Sequence, residues 1–170
     1  MSIQIPEHIK KVIIDGANIA FTSRNKKNKA DFQNLVILQK ELEDLKLIRE
    51  DLEWFIICDA NLRYAISEPK EYEKWIRRGI ITQSPSRLKA DIFILKLMHE
   101  FDGEIATISN DRFSEYTDEL DDIVHRCQLG FIIAFDQIFL EKLKMKTLKR
   151  KRATIPHYVE PVNLIAGNLC

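Results

Sequence analysis

Apolar residues along the chain fall into short runs separated by amphipathic stretches. Val12-Ile13-Ile14 is an unbroken β-branched run ended by Asp15-Gly16, which predicts a strand buried on both faces. From Asp31, a residue suited to capping a helix, Leu35, Leu38, Leu42 and Leu45 recur at helical spacing and predict an amphipathic helix. A second strand is expected over Trp54 to Cys58, again followed by an aspartate, Asp59. Pro69 opens a helix that continues through Glu71 to Arg78 and stops at Gly79, after which Ile80-Ile81-Thr82 reads as a third strand. Beyond a turn at Ser84-Pro85-Ser86, Leu88 to Phe101 predicts an apolar helix closed by Asp102-Gly103. Ile105 to Ile108 is then a fourth strand, and Asp111 to about Cys127 a helix with an acidic start, broken at Gly130. Phe131 to Phe135 is read as a fifth strand and Asp136 to Lys146 as a last helix.

Alternating strands and helices imply right-handed crossovers and a mostly parallel sheet covered on both faces. The expected fold is α/β: a three-layer α/β/α, Rossmann-like domain with a five-stranded sheet. At 170 residues the chain suits one compact domain, assigned to 1–146. Residues 147–170 carry Pro156, Pro161 and little periodicity, and are expected to form a basic C-terminal arm or tail.

Composition narrows the chemistry. No apolar stretch is long enough for a membrane span or a secretory signal, so the expectation is a soluble cytoplasmic protein. Cys58, Cys127 and Cys170 are odd in number and widely spaced, which argues against a disulfide framework or a structural zinc site. Neither GxGxxG nor GxxxxGK[ST] occurs. The 26 basic and 26 acidic residues balance, but unevenly. Lys142 to Arg152 holds seven basic residues without one acid, including Lys149, Arg150, Lys151 and Arg152, and a second basic cluster comprises Arg24, Lys26, Lys27 and Lys29. Such stripes suit nucleic-acid backbones, although they also suit a solvated helix end or tail.

Open parallel sheets bind ligands beyond the carboxyl ends of their strands. Those ends are acidic here: Asp15 then Asn18, Asp59 then Asn61, Ser109-Asn110-Asp111, and Asp136. Asp91 joins them if its helix starts at the same edge. Crowded carboxylates repel one another unless a cation neutralises them, and hard oxygen ligands favour Mg²⁺ or Mn²⁺ over zinc. Asp59 and Asp136 taken singly are also good helix caps or turn formers. Asp15 follows three apolar residues, and a buried carboxylate without a capping role there needs a strong partner. His8, His99, His125 and His157 are scattered, and no nucleophile elbow occurs. A phosphatase of the haloacid-dehalogenase type fails at Ala17, and a receiver domain is only weakly supported, because Asp15 is followed by Gly16 and Asp136 stands where its lysine belongs.

Val12 to Ala20, reading Val-Ile-Ile-Asp-Gly-Ala-Asn-Ile-Ala, resembles the opening of the NYN branch of PIN-like ribonucleases. The regnase group of CCCH-type zinc-finger ribonucleases is the type it is most similar to. Further similarities follow in order: Asp59-Ala60-Asn61-Leu62-Arg63, Thr82 to Arg87, Ala90 to Leu97, and Asp102-Gly103 leading to Ser109-Asn110-Asp111. The resemblance covers roughly residues 10 to 140 and departs from the group at two acids. Ala90 stands where the group has the first of two aspartates, and Glu115 where it has an aspartate. Three dispersed cysteines cannot form the CCCH finger.

The resemblance implies a PIN-like endoribonuclease that hydrolyses single-stranded or looped RNA with Mg²⁺ or Mn²⁺ and an activated water. Asp15, Asn18, Asp91 and Asp111 would carry the catalytic roles, with Asp59 supplying a further metal-binding carboxylate and Ser109, Asn110 and Glu115 in support. Arg24, Lys26, Lys27, Lys29, Arg63, Arg87 and Lys149 to Arg152 would contact RNA. Two other readings stay open: an RNA-binding module with little turnover, motivated by Ala90, and a structure-specific DNA nuclease. A homodimer also stays open.

Overall fold

The computed structural model describes residues 5–23, 28–85, 87–101, 104–116 and 118–142. Within them the order is β1 (Lys11–Asp15), α1 (Gly16–Phe21), α2 (Phe32–Lys46), β2 (Glu53–Cys58), α3 (Leu62–Ala65), α4 (Pro69–Arg77), β3 (Ile81–Gln83), α5 (Ala90–Glu100), β4 (Ile105–Ile108), α6 (Asp118–Cys127), β5 (Gln128–Ala134) and β6 (Gln137–Lys142). They form one six-stranded sheet in the order β3-β2-β1-β4-β5-β6, parallel except for β6.

β1 is central because it can bury both faces. Val12 and Ile14 pack into one apolar layer with Leu35, Leu38, Leu42 and Leu45 of α2, while Ile13 packs into the other with Ile94, Leu95 and Met98 of α5. Fully buried aliphatic side chains of this size contribute about 1.5–3 kcal/mol each, so both helices are held by their leucine and isoleucine faces. Asp31 caps α2 through the Gln33 N–H, Pro69 starts α4, and Gly79 takes a left-handed φ of 72° after it, all as the sequence implies.

The sequence reading is corrected in four places. Residues 137–142 form a strand and not a helix: Ile138 is buried and Phe139 exposed, an alternation of period two that a short apolar run conceals. The sheet therefore has six strands. Its hairpin turn, Phe135-Asp136, has left-handed φ values of 53° and 55° without the Asn-Gly signal that would announce it. β5 starts at Gln128, ahead of Gly130, which lies inside the strand. The helix expected from Asp111 begins at Asp118, because the Asp111 carboxylate instead accepts the Phe113 N–H and forms a turn. The short helices α1 and α3 were not expected. The expected C-terminal arm, residues 147–170, lies outside the described residues.

Gly16 is required by close approach. A Cβ there would stand 2.8 Å from Ile56 Cγ2 and 3.2 Å from the Ile57 carbonyl oxygen, and would overlap Cys58 Sγ. Gly16→Ala should therefore destabilise the fold by about 1–3 kcal/mol in urea titration, as overpacking of a rigid core does. A Gly16→Ala/Cys58→Ala double variant should recover part of that loss.

Candidate active site

The carboxyl ends of β1, β2 and β4 and the start of α5 meet at one sheet edge. β1 delivers Asp15 there, only 2% exposed. Its Oδ1 accepts the Asn18 N–H at 2.9 Å, and its Oδ2 accepts the Ser109 hydroxyl at 2.9 Å. Asp15 thus does cap a helix, α1, contrary to the sequence reading, while remaining buried at the edge. Burial pushes its carboxyl up to about 7; the Asn18 and Ser109 hydrogen bonds oppose that push, and the charges of Asp91 and Asp111 add to it.

Asp91 lies in the first turn of α5, where the helix N-terminus favours a carboxylate. Its pKa is raised by burial and then by Asp111 and Asp59, with Lys89 opposing and Glu115 adding. Asp59 is held by the backbone of the same helix, Oδ1 accepting the Ala90 N–H at 2.8 Å. Part of its work is therefore the helix capping that its type allows. The five acids Asp15, Asp59, Asp91, Asp111 and Glu115 act on one another's protons or on a shared neighbour, so they form one electrostatic cluster.

Hydrogen bonds fix the surrounding backbone. Asn18 Oδ1 accepts the Asn110 N–H at 2.9 Å, the Ser109 hydroxyl accepts the Asp111 N–H at 3.1 Å, and the Gln128 amide donates to the Ser109 and Asp111 carbonyls, both at 2.6 Å. Asn110 pairs with Phe131 in both directions, at 2.8 and 2.9 Å. Ser109 and Asn110 thus bind the Asp15 carboxylate and the start of β5 into one network.

Tyr116 and Lys89 were missed by sequence reasoning. Burial and then the charges of Asp91, Glu115, Asp111 and Asp59 push the Tyr116 phenol up to about 12, so it is a proton donor beside the acids. Lys89 Nζ lies 3.9 Å from Glu115 Oε2. Both follow directly from the acidic positions, Lys89 two residues before Asp91 and Tyr116 five after Asp111, a proximity that inspection of those neighbours could have found.

The basic residues divide. Arg63 is exposed and lies over the Tyr64 ring, 4.5 Å from its centroid. Exposed Lys29 precedes Ala30, whose backbone pairs with Ala65 and Ser67, so Lys29 shares the α3 flank with Arg63. Arg87 is exposed at a left-handed φ of 70° ahead of α5. Arg24, Lys26, Lys27 and the run Lys149 to Arg152 lie outside the described residues. Asp136 sits at the hairpin tip and does not figure among the acids acting on Asp15 or Asp91. His8, His99 and His125 are exposed.

The family model of the Zc3h12a-like ribonuclease NYN domain matches residues 8–155. The chain belongs to that family. It is a ribonuclease domain of the NYN/PIN-like type. No curated protein matches the chain. Two structures of nuclear protein-only RNase P 2 from Arabidopsis thaliana share the fold. One aligns with a TM-score of 0.55 at 18% identity over 79% of this chain, and the other with 0.58 at 17% over 78%. The NYN domain spans about 30% of the length of those two chains.

The donor set fits a hard divalent cation. A carboxyl raised by burial, with its neighbours' charges adding to the push, is one that a bound cation would relieve, and every acid of the cluster offers oxygen. Among the described residues no three acidic, histidine or cysteine side chains form a cage that could hold a metal ion. Mg²⁺ is commonly held by one or two carboxylates together with waters and substrate phosphates, which asks for no such cage.

A metal-free prediction follows from Asp15. Its folded-state pKa lies above the ordinary 3.8, so its contribution to stability is complete below about pH 4 and is lost as pH rises through about 7. At about 1.4 kcal/mol for each tenfold change in proton affinity, the loss has a ceiling of roughly 4 kcal/mol. In EDTA, Asp15→Asn should gain stability over the unmodified protein between pH 5 and 8, by urea titration, and the gap should close near pH 4. A pH-independent gap would show that Asp15 does not titrate in this range.

Proposed function

We propose that the acidic edge is the cleavage centre of a metal-dependent endoribonuclease, with Asp15, Asp91 and Asp111 as the carboxylates that hold Mg²⁺ or Mn²⁺ and Asp59 beside them. The observation that carries this reading is the electrostatic coupling of buried Asp15 to Asp91 and Asp111, with Asp59 and Glu115 acting on Asp91 in turn, at the carboxyl edge of a ribonuclease fold. When bound, the ion supplies neutralisation of the phosphate charge and a water acidified enough to attack phosphorus.

The chain's own residues do the positioning. Ser109 and the Asn18 N–H each occupy one oxygen of Asp15, which fixes the plane of the carboxylate. The Asp59 carboxylate and the Ala90 N–H lock the start of α5, which sets where Asp91 stands. Tyr116 keeps its proton and can donate a hydrogen bond to a phosphate oxygen. Lys29, Arg63 and Arg87 offer positive charge for phosphates flanking the scissile bond, and single-stranded or looped RNA fits because its phosphates and bases are both accessible.

Asp15→Asn should lower the rate of RNA cleavage by several orders of magnitude while leaving the fold intact by circular dichroism. Asp91→Asn and Asp111→Asn should show large losses partly recovered at raised Mn²⁺, since weakened ion affinity is offset by mass action. Cleavage of labelled RNA that persists in EDTA would overturn the metal-dependent reading, and preferential cleavage of labelled DNA would overturn the choice of substrate.

A separate measurement tests the basic flank. Each phosphate contact on a single strand contributes about −0.7 to the log-log salt slope of binding. Lys29→Ala/Arg63→Ala, measured in Ca²⁺ to suppress turnover, should flatten that slope by roughly one to one and a half, and an unchanged slope would remove this flank from the RNA path.

A further inference from the structure

β5 does not stop where its neighbour stops. It pairs with β4 only at Gln128 and Leu129, opposite Thr107 and Ile108, and residues 130–134 continue past the end of β4 with β6 as their strand partner and Asn110 bonded to Phe131 at their start. From Leu129 to the turn at Phe135 is six residues, roughly 20 Å of strand at about 3.3 Å per residue. The hairpin therefore projects from the same edge that carries the acids, on the side opposite the Lys29 and Arg63 flank.

Its tip is unusual. Phe135 is 94% exposed and holds a left-handed φ of 53°, a backbone conformation that is costly for a bulky residue and that glycine adopts freely. Directly paired Ile132 and Phe139 extend exposed apolar surface down the hairpin. The root of this arm is tied to the catalytic carboxylate through side chains. Asp15 accepts from Asn18, Asn18 accepts from Asn110, and Asn110 pairs with Phe131, four residues before the tip.

We propose that Phe135 is a base-stacking platform that grips single-stranded RNA a few nucleotides from the acidic cluster. This rests on the reading of that edge as the RNA-cleaving centre. A ring presented at an isolated turn suits the face of a base, which stacks regardless of sequence. A second protein copy is the poorer occupant. Three side chains burying at most about 150–250 Å² each fall short of the roughly 800 Å² per partner of a stable interface, and two of these are already partly covered.

The test uses the full chain, a single-stranded RNA of mixed sequence, and Ca²⁺ for binding or Mg²⁺ for cleavage. Phe135→Ala should weaken binding about tenfold, Phe135→Trp should restore it, and Phe135→Leu should not. An abasic site scanned along the RNA should weaken binding to the unmodified protein at one position, and that sensitivity should vanish in Phe135→Ala. Phe135→Gly should bind as weakly as Phe135→Ala without lowering Tm, because it relieves the turn; a purely structural role for Phe135 would lower it.

If the unmodified protein binds and cleaves RNA while Phe135→Ala matches it, the platform is wrong and the ribonuclease reading stands. Full rescue by Phe135→Leu, or loss of a dimer by sedimentation with RNA affinity unchanged, would also overturn it. Failure of the unmodified protein to bind single-stranded RNA would overturn both.

Discussion

A carboxylate buried at the end of the central strand is the constraint around which the rest of this domain is arranged. Asp15 is desolvated because Ile13 and Ile14 carry β1 through the middle of the sheet, and it is tolerated because one N–H and one hydroxyl reach it. Those two donors come from different elements, α1 and the loop after β4, so holding Asp15 also holds the two together. Gly16 is part of the same constraint. The chain must turn into α1 directly against Ile56 and Cys58, and no side chain fits in that gap.

The supporting network extends outward from this carboxylate as a chain of single hydrogen bonds. Asn18 bridges to Asn110, Asn110 to Phe131, and Gln128 to the carbonyls on either side of Asn110. Buried networks of this kind are rigid only when each member is satisfied, and a change at Asn110 would loosen both the acid-bearing loop and the root of β5. The acids themselves are mutually repulsive, so the edge stores unfavourable charge that a divalent cation would relieve.

Much of the fold was legible because the buried elements obey strong periodicities. The α2 leucines, the β1 run and the Pro69 to Gly79 helix each had one pattern and one reading. The end of the domain was misread for physical reasons. Ile138-Phe139-Leu140 is too short for periodicity to distinguish strand from helix, and a turn built on Phe and Asp hides its left-handed backbone behind residues that rarely adopt it. The acids were legible because strand ends in a parallel sheet share an edge by topology. Tyr116 and Lys89 were not, since no motif marks a residue whose importance comes only from standing beside charges.

Ala90 bears most directly on whether the site is complete, because the resembling group carries an acid there. In this chain position 90 belongs to the apolar layer, 1% exposed among Phe93, Ile94 and Ile57, and only its N–H faces the acids, bonded to Asp59. A carboxylate at that position would need either a buried partner or a shift of the helix start. The departure therefore leaves no hole in the cluster. The first turn of α5 takes its negative neighbour from β2 through Asp59, and Asp91 remains the acid that this helix presents. Glu115 makes the second departure equally mild: its longer side chain still acts on Asp91 and Tyr116 and reaches Lys89 from the loop after β4. The edge thus differs from the resembling group at two positions, with one carboxylate fewer, and still keeps Asp15, Asp59, Asp91, Asp111 and Glu115 in one electrostatic group and the start of α5 capped.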